Sequence, residues 1–529
     1  MKKTILICLL ILPSLVGSAQ SKYSLEWGEV IPLDSDDNRV EMRELAGGMY
    51  FTLEYAPAGK SGQHVTARLY QDGKKVNERK IEFKALTTAF LGLRLRPQMH
   101  GLMSIGGRDY FLLTEVDTRS KKVHLRAWRF DPPTLTVAEE PLTLASVESL
   151  DPVLSTYTWA FSRNRDRMYV LESPGRGPNP AATITLKTYD QDLTLQSERQ
   201  YSLPPAIELL QVTGVTLEYG HLVVSAVDYE RRPSIWKNPP GFKVFYFIVP
   251  NGGQTLQIVP IELPGLQISE AKLVFQGPDE FLCYGLYSKS EREYTPFSAG
   301  AFFARYSIKQ RRLDAPQIRA FPASIVDSAD YRDKRAKARK PGELPNLRVA
   351  DLRVRPDGGL QFITEQSNNR WSSSTITSYD GSSSVTMSGT VFEFDDILVY
   401  TLYRDPARDW FSLIRKRQQG VGTSHEFSFT HTYDKSGTLW MLYNDLPGNL
   451  SLPAATPPVN LKIGEARAGT VLASVDSRGN LQRELIFTKK DVGCCWFTPR
   501  QTKYSADGMI QLTAFGKKSY RQGTLRLPR

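Results

Sequence analysis

The chain has 529 residues, enough for several ordinary domains, with 41% hydrophobic and 11% aromatic side chains; repeat architectures and large all-β folds depart from that length rule. Its formal charge of +11 is a modest excess for this length, compatible with an anionic partner such as an acidic glycan or a lipid-headgroup surface, and equally with ordinary solubility. With four cysteines, one of them inside an N-terminal leader, and no two-residue spacer between Cys494 and Cys495, the sequence argues against thiol–disulfide exchange chemistry.

The leader comes first in chain order. Lys2 and Lys3 form a positive start, Ile5 to Leu15 an apolar run, and Gly17-Ser18-Ala19 a small-residue cleavage site, so residues 1–19 read as an export signal and the mature chain starts at Gln20. Cys8 falls inside the apolar run and is not a lipoprotein cysteine. No later stretch approaches the roughly 18 uninterrupted apolar residues of a spanning helix, so no membrane span is expected. The expected compartment is periplasmic or extracellular, where nucleic acid is not a partner. Removing Lys2 and Lys3 lowers the formal charge to +9.

The first unit sets a pattern. Gly47-Gly48 turns the chain, Met49 to Tyr55 reads as a strand, and His64 to Tyr70 follows with alternating apolar and polar residues. Asp72-Gly73 then makes a two-residue hairpin turn into Val76 to Phe83. The apolar and aromatic motif that opens this strand recurs at Tyr110-Phe111, Met168-Tyr169, Leu222-Val223, Phe281-Leu282, Leu360-Gln361-Phe362, Leu439-Trp440-Met441 and Met509-Ile510. A coarse period with strands in every unit marks a radial or solenoidal repeat. A four-stranded antiparallel meander cannot bury both faces alone, so the units must stack, and closing the stack into a ring protects the sheet edges.

The prediction is therefore an all-β chain forming a single β-propeller, residues 20–529, of seven or eight four-stranded blades with the motif on each blade's inner strand. The last unit is one strand short. Residues 24–33, with Leu25, Trp27 and Val30, have no blade of their own and are predicted to close the ring. Trp27, Trp128, Trp159, Trp410 and Trp440 fall in strand-like contexts and read as packing between blades.

Three segments interrupt the period. Residues 325–338 have helical composition, with Ser324 as N-cap and Asp327 three residues on, inside a basic insertion spanning 324–345. Six of the nine residues from Arg332 to Lys340 are basic (Arg332, Lys334, Arg335, Lys337, Arg339 and Lys340), either a docking patch for an anionic envelope surface or a solvated charged helix. Residues 371–390 are rich in Ser and Thr and read as a long mobile loop carrying Trp371, and 450–460 reads as a proline-rich linker. Arg231-Arg232-Pro233, Trp236 and Pro239-Pro240 form an aromatic and basic loop. Trp236 and Trp371 are candidates for stacking on sugar rings or anchoring a partner, or else cover the blade ends.

Over roughly its last third the chain resembles an uncharacterised family of exported bacterial β-propeller-like proteins. The matching segments are Leu344-Pro345-Asn346-Leu347, Asp357-Gly358-Gly359 leading to Glu365-Gln366, Asp396-Ile397-Leu398-Val399, Arg415-Lys416-Arg417-Gln418 after Trp410, and Leu442-Tyr443-Asn444-Asp445 with Asn449. The resemblance implies the repeat fold and export. It brings no activity, cofactor or ligand.

An acidic residue stands near the end of most repeated strands: Glu54, Glu115, Glu172, Asp228, Glu365 and Asp445. Equivalent positions in a ring lie at similar height, so these carboxylates either cluster on a rim, where two of them could act as acid and base in glycoside hydrolysis, or each accepts hydrogen bonds within its own blade. No histidine spacing matches a metal motif, and His425 with His431 is the nearest approach to one, so no metal or cofactor is expected. No nucleophile elbow is present. Cys283 either bridges to Cys494 or Cys495 or is a buried thiol.

These residues lead to a non-enzymatic exported propeller that binds a protein or glycan at the cell envelope through loops at one rim. A polysaccharide hydrolase or lyase using the rim carboxylates, and a structural component of an envelope assembly docking through the basic patch, are the alternatives.

Overall fold

The computed structural model describes residues 23–527 apart from connecting segments, chiefly 33–38, 56–63, 84–87, 149–156, 173–182, 203–209, 231–240, 290–296, 330–341, 378–383, 422–425 and 505–508. The leader, Trp236, His425 and the Arg332 to Lys340 run thus lie outside the described residues, as do the side chain of Trp371 and the Asp72-Gly73 turn.

Eight antiparallel sheets follow one another along the chain and form the blades of a propeller. Blade 1 is Arg39–Glu44, Met49–Tyr55, His64–Gln71 and Lys74–Glu82 in that order. Blades 2 to 7 repeat this meander, with their second strands at Arg108–Asp117, Met168–Glu172, His221–Tyr229, Glu280–Ser288, Leu360–Thr377 and Leu439–Asp445. Blade 8 takes its second and third strands from Met509–Phe515 and Ser519–Arg526, and its fourth from the N-terminal strand Ser24–Pro32. Ser24 lies opposite Arg526 and Ile31 opposite Tyr520, so the two ends of the chain close the ring, as residues 24–33 predicted.

The repeated motif sits on the second strand of each blade, not the innermost one. Met49–Tyr55 pairs on both sides, and the strands nearest the axis are those before it, since first strands of neighbouring blades approach one another. Fourth strands such as Lys74–Glu82 and Leu195–Ser202 are almost wholly exposed. The motif is the most apolar stretch because a second strand, laddered on both edges, is covered on both faces by adjacent blades.

Seven of the eight blade interfaces are filled by apolar clusters. Between blades 1 and 2, Phe51, Leu53, Phe111 and Trp128 are buried together, each contributing about 1.5–3 kcal/mol through removal from water. The tryptophans meet the expectation: Trp159 packs between blades 2 and 3, Trp410 between 6 and 7, and Trp27 and Trp440 between 7 and 8. Trp27 meets Phe487 edge-on at 5.3 Å and can fold over its partner strand because the opposite residue is Gly523, where a Cβ would come within 2.6 Å of the indole.

Alternation of strand direction places the connections after second and fourth strands on one rim and those after first and third strands on the other. The second rim carries tight turns, such as Gly106-Gly107, Tyr219-Gly220 and Pro278-Asp279. Most of the long connections leave the first rim: residues 56–63, 83–97, 173–182, 230–241, 289–296, 321–346 and 446–468. The helix is Ala323–Ala329, so Ser324 lies inside it and the first-turn amides of Ile325 and Val326 bond to the Pro322 carbonyl instead of a serine cap. Proline fixes the backbone at that entry and displaces the expected cap.

Residues 371–390, expected as a loop, continue the blade 6 strands. Leu360–Thr377 and Ser384–Leu402 stay paired from Trp371 opposite Thr390 to Thr377 opposite Ser384. Blade 6 thus carries a β-hairpin arm that runs on past the blade at the long-loop rim. The arm is widened by Gln418–Val421 and by Leu461–Lys462, a parallel strand contributed from the blade 7 insertion.

Candidate functional site

The six repeated acids lie at the ends of second strands, on the side of the long-loop rim. Glu54 and its partner Arg68 are both buried and ion-paired. Fully buried Glu115 has Arg126 Nε at 3.2 Å, and Glu172 accepts from Lys187 Nζ at 2.7 Å. The geometry is the same in all three. The third-strand residue directly opposite the acid is Thr66, His124 or Thr185, and the cation lies two positions further along, the diagonal neighbour on the same face. In blade 4, Lys243 stands directly opposite Asp228. Glu365 of blade 6 is ion-paired with Lys416 Nζ at 2.8 Å and accepts from Ser428 of blade 7 at 2.6 Å. For Glu54, Glu115 and Glu172 the partner is thus a cation on the adjacent strand of the same blade, where loop amides were the alternative to a rim cluster.

Asp445 differs. Its Oδ1 accepts from the Leu446 amide at 2.8 Å and Asn449 Nδ2 at 2.6 Å, and burial pushes its carboxyl up to about 6 against the opposing pull of those bonds and of Lys416 and Arg483. It belongs to a buried polar network under the blade 6 and 7 insertions. Lys416 is wholly buried; its Nζ donates to the Phe394 carbonyl at 3.1 Å and Gln418 Oε1 at 2.9 Å, while its amide bonds Asp396 at 3.0 Å. Gln418 passes the chain of bonds to the Asn444 carbonyl, and Asn444 reaches the carbonyls of Glu426 and Phe497. Asn449 clamps Val459 with two bonds, its Oδ1 accepting from the amide at 2.8 Å and its Nδ2 donating to the carbonyl at 2.9 Å. The Arg415 to Gln418 and Asn444-Asp445 segments singled out in the sequence therefore anchor the insertions from below.

Cys283 is free and buried in the core of blades 4 and 5, and burial pushes its thiol well up. Cys495 is disulfide-bonded, so the bridge does not reach blade 5. His431 bonds Asp351 across blades 6 and 7 at 2.9 Å. No cluster of three or more metal-ligating side chains occurs among the described residues. Among the same residues no helix is long and apolar enough to cross a membrane.

One interface departs from the other seven. Between blade 8 and blade 1 the only apolar cluster among the described residues is Tyr520 with Ile31 and Phe515, all of blade 8. A cleft of about 840 Å³ opens there, reaching from the innermost strands, at Glu41 and Lys503, to the outermost, at Glu26. Gln511 and Thr513 of the second strand and Gln522 and Thr524 of the third face it from blade 8; Tyr50 faces it from blade 1, stacked on Tyr70 at 4.7 Å. Sequence reasoning missed this site. Its signal was alternation in the last two strands, where Gln511 and Thr513, then Gln522 and Thr524, put amides and hydroxyls on the face that other blades fill with apolar side chains.

No known protein-family profile matches the chain, and no functionally curated protein matches it in sequence. Among solved structures it is similar to the β-propeller domain of the trilobed protease of Pyrococcus furiosus, at 10% identity and a TM-score of 0.33, covering 87% of this chain and 98% of that one. Likenesses to Porphyromonas gingivalis dipeptidyl peptidase 4 (11% identity, TM-score 0.38, 93% and 60% covered) and to Penicillium chrysogenum α-L-arabinanase complexed with arabinobiose (10%, 0.29, 56% and 98%) are of the same order. The chain spans 60% of the Porphyromonas peptidase. At such values what those hydrolases act on is not carried over to this chain.

Proposed function

We propose that the protein is an exported, non-enzymatic propeller that binds a protein or glycan partner at the cell envelope through its long-loop rim. The observation that carries this reading is the asymmetry of the two rims: one is tied off in short turns, while the other gives rise to the β-hairpin arm of blade 6, the helix-bearing insertion, the loop around Trp236 and the blade 7 insertion. Binding surfaces are built from such loops on a rigid scaffold. The engagement of Glu54, Glu115, Glu172 and Glu365 with cations of their own blades favours binding over glycoside hydrolysis, which uses a solvent-open pair of carboxylates. Export is supported by the Lys2 to Ala19 pattern and by the family resemblance of the last third.

The test is capture of solubilised envelope components and a glycan array by the mature chain, run beside three variants. These are deletion of the arm residues 372–389, charge reversal of Arg332, Lys334, Arg335, Lys337, Arg339 and Lys340, and substitutions in the Gly106-Gly107 turn of the opposite rim. Loss of binding confined to the first two supports the reading. Binding that all three variants retain overturns it, as does turnover of a polysaccharide panel that Glu365→Gln abolishes.

A further inference from the structure

We propose that the β-hairpin arm of blade 6 joins two copies of this chain, the free edge at residues 368–377 of one arm pairing antiparallel with the same edge of the other. The inference goes beyond the envelope-binding reading and needs no envelope component. Leu360–Thr377 is laddered to Leu347–Val354 only as far as Gln366, and from there to its end its one partner strand among the described residues is Ser384–Leu402. The outer side of the arm is therefore a run of unpaired backbone N–H and C=O groups about 34 Å long, at ~3.4 Å per residue.

Free edges elsewhere in the ring carry protection. At the axis, side chains of one blade bond the open backbone of the next. Glu270 of blade 5 accepts from the Val349 amide at 2.8 Å while Lys272 donates to the Val349 carbonyl; Arg43 of blade 1 donates to the Leu102 carbonyl, and Asn444 of blade 7 to the Phe497 carbonyl at 2.7 Å. At the perimeter, fourth strands carry charge, as in Lys74–Glu82 where six of nine residues are charged, or proline, as in the short Gln257–Ile261. The arm has none of these devices. From residue 371 to 392 the one charged residue is Asp380 and there is no proline, in a chain of which 23% is charged. Charge and proline are what keep an exposed edge from pairing, so an edge that lacks both is a template for a further strand.

Such an edge recognises another extended backbone, whose N–H and C=O groups alternate at the same period. A second copy supplies one of matching chemistry. The chain is net positive, so two copies repel over most of their surface, and the uncharged arm is where they meet at least electrostatic cost. Antiparallel self-pairing about a two-fold axis uses the same patch on both copies and closes at two. The opposed strand directions also set each ring beyond the tip of the other's arm, so the two bodies stay clear of one another. A two-stranded ribbon is only marginally stable by itself in water, and joining two of them makes a four-stranded sheet where the arms overlap.

The experiment is sedimentation velocity on residues 20–529 over about 1–100 µM, a range that brackets micromolar association. Wild type is run beside the double variant Ser373→Lys, Thr375→Lys, the double variant Ser373→Glu, Thr375→Glu, and an equal mixture of the two. The expected result is a concentration-dependent dimer for wild type, weakened at least about tenfold in each double variant, because like charges then stand across the pairing, and restored in the mixture, where opposite charges do. Restoration on mixing is a result that a merely misfolded arm cannot give. Wild type that stays monomeric over the whole range overturns the inference, as does a dimer undiminished in both double variants, or double variants that remain monomeric when mixed. No envelope component is present in these samples, so a monomer removes the inference and leaves the envelope-binding reading standing.

Discussion

Asp445→Asn should make the protein more stable at neutral pH, and the gain should vanish in acid. Asp445 is buried with its carboxyl raised from 3.8 to about 6, so the native state holds a proton there that the unfolded chain has already lost. The sign follows from linkage: a raised native value gives stability that is fully present below pH 3.8 and is lost as pH rises through about 6. Across that window the difference amounts to about 3 kcal/mol, since a tenfold change in proton affinity corresponds to about 1.4 kcal/mol. Asparagine preserves the acceptor that receives Leu446 N and Asn449 Nδ2, and carries no charge to desolvate. Urea unfolding of both proteins between pH 4 and pH 7.5 isolates the residue, because all other titrations cancel in the difference. Wild type should match or exceed the variant near pH 4 and fall behind it by up to about 3 kcal/mol above pH 6. A difference that is flat with pH, or one in which wild type gains as pH rises, would refute the reasoning, and would mean that Lys416 and Arg483 hold the carboxylate ionised in spite of its burial.

Lys416→Met should cost about 3–5 kcal/mol by leaving Glu365 buried without its cation, and the Lys416→Met, Glu365→Leu double variant should recover most of that loss in the same urea assay. Gly523→Ala should lower the thermal midpoint by displacing Trp27 from the closing strand, since the added methyl would lie 2.6 Å from the indole and 2.8 Å from the Glu26 carbonyl; an unchanged midpoint would show that the ring closure does not depend on this contact. Cys283 should resist alkylation in the native protein and react after denaturation, read by mass spectrometry, because its thiol is wholly buried.

The ring was legible because its cause is local. A strand laddered on both edges and covered on both faces must be apolar along its length, so Tyr110-Phe111 or Leu439-Trp440-Met441 stands out in any window, and the unpaired Ser24 to Leu33 stretch has one place to go. What lies across strands was less visible. The acids at 54, 115 and 172 could be aligned from the sequence, but their cations sit on the next strand at a diagonal, a register that depends on hairpin geometry and not on spacing alone. Residues 371–390 have the composition of a loop, yet Ile376 stands between Thr375 and Thr377, Val385 and Met387 alternate with Thr386 and Ser388, and a strand can continue where its neighbour continues. Side-chain polarity at the seam was hidden for another reason: a polar residue on a strand face normally means solvent, and only the closed ring turns that face toward another blade.

The paired acids also bear on how such a ring tolerates its own repeats. Each blade of this kind places a carboxylate where its second strand ends, beside a neighbouring blade that excludes water, and an isolated charge there would cost several kcal/mol. A cation on the adjacent strand of the same blade offsets that cost without reference to the neighbour, so the blade carries its own compensation and can be repeated around the axis. Glu365 and Asp445 depart from this rule: Glu365 bonds Ser428 of the next blade, and Asp445 is bonded by an asparagine four residues on. Both lie under the arm and the blade 7 insertion, which are the additions to the plain ring. The polar groups at that place are thus bound to the loops they support, and a functional change in those loops would have to move Lys416 and Asp445 together.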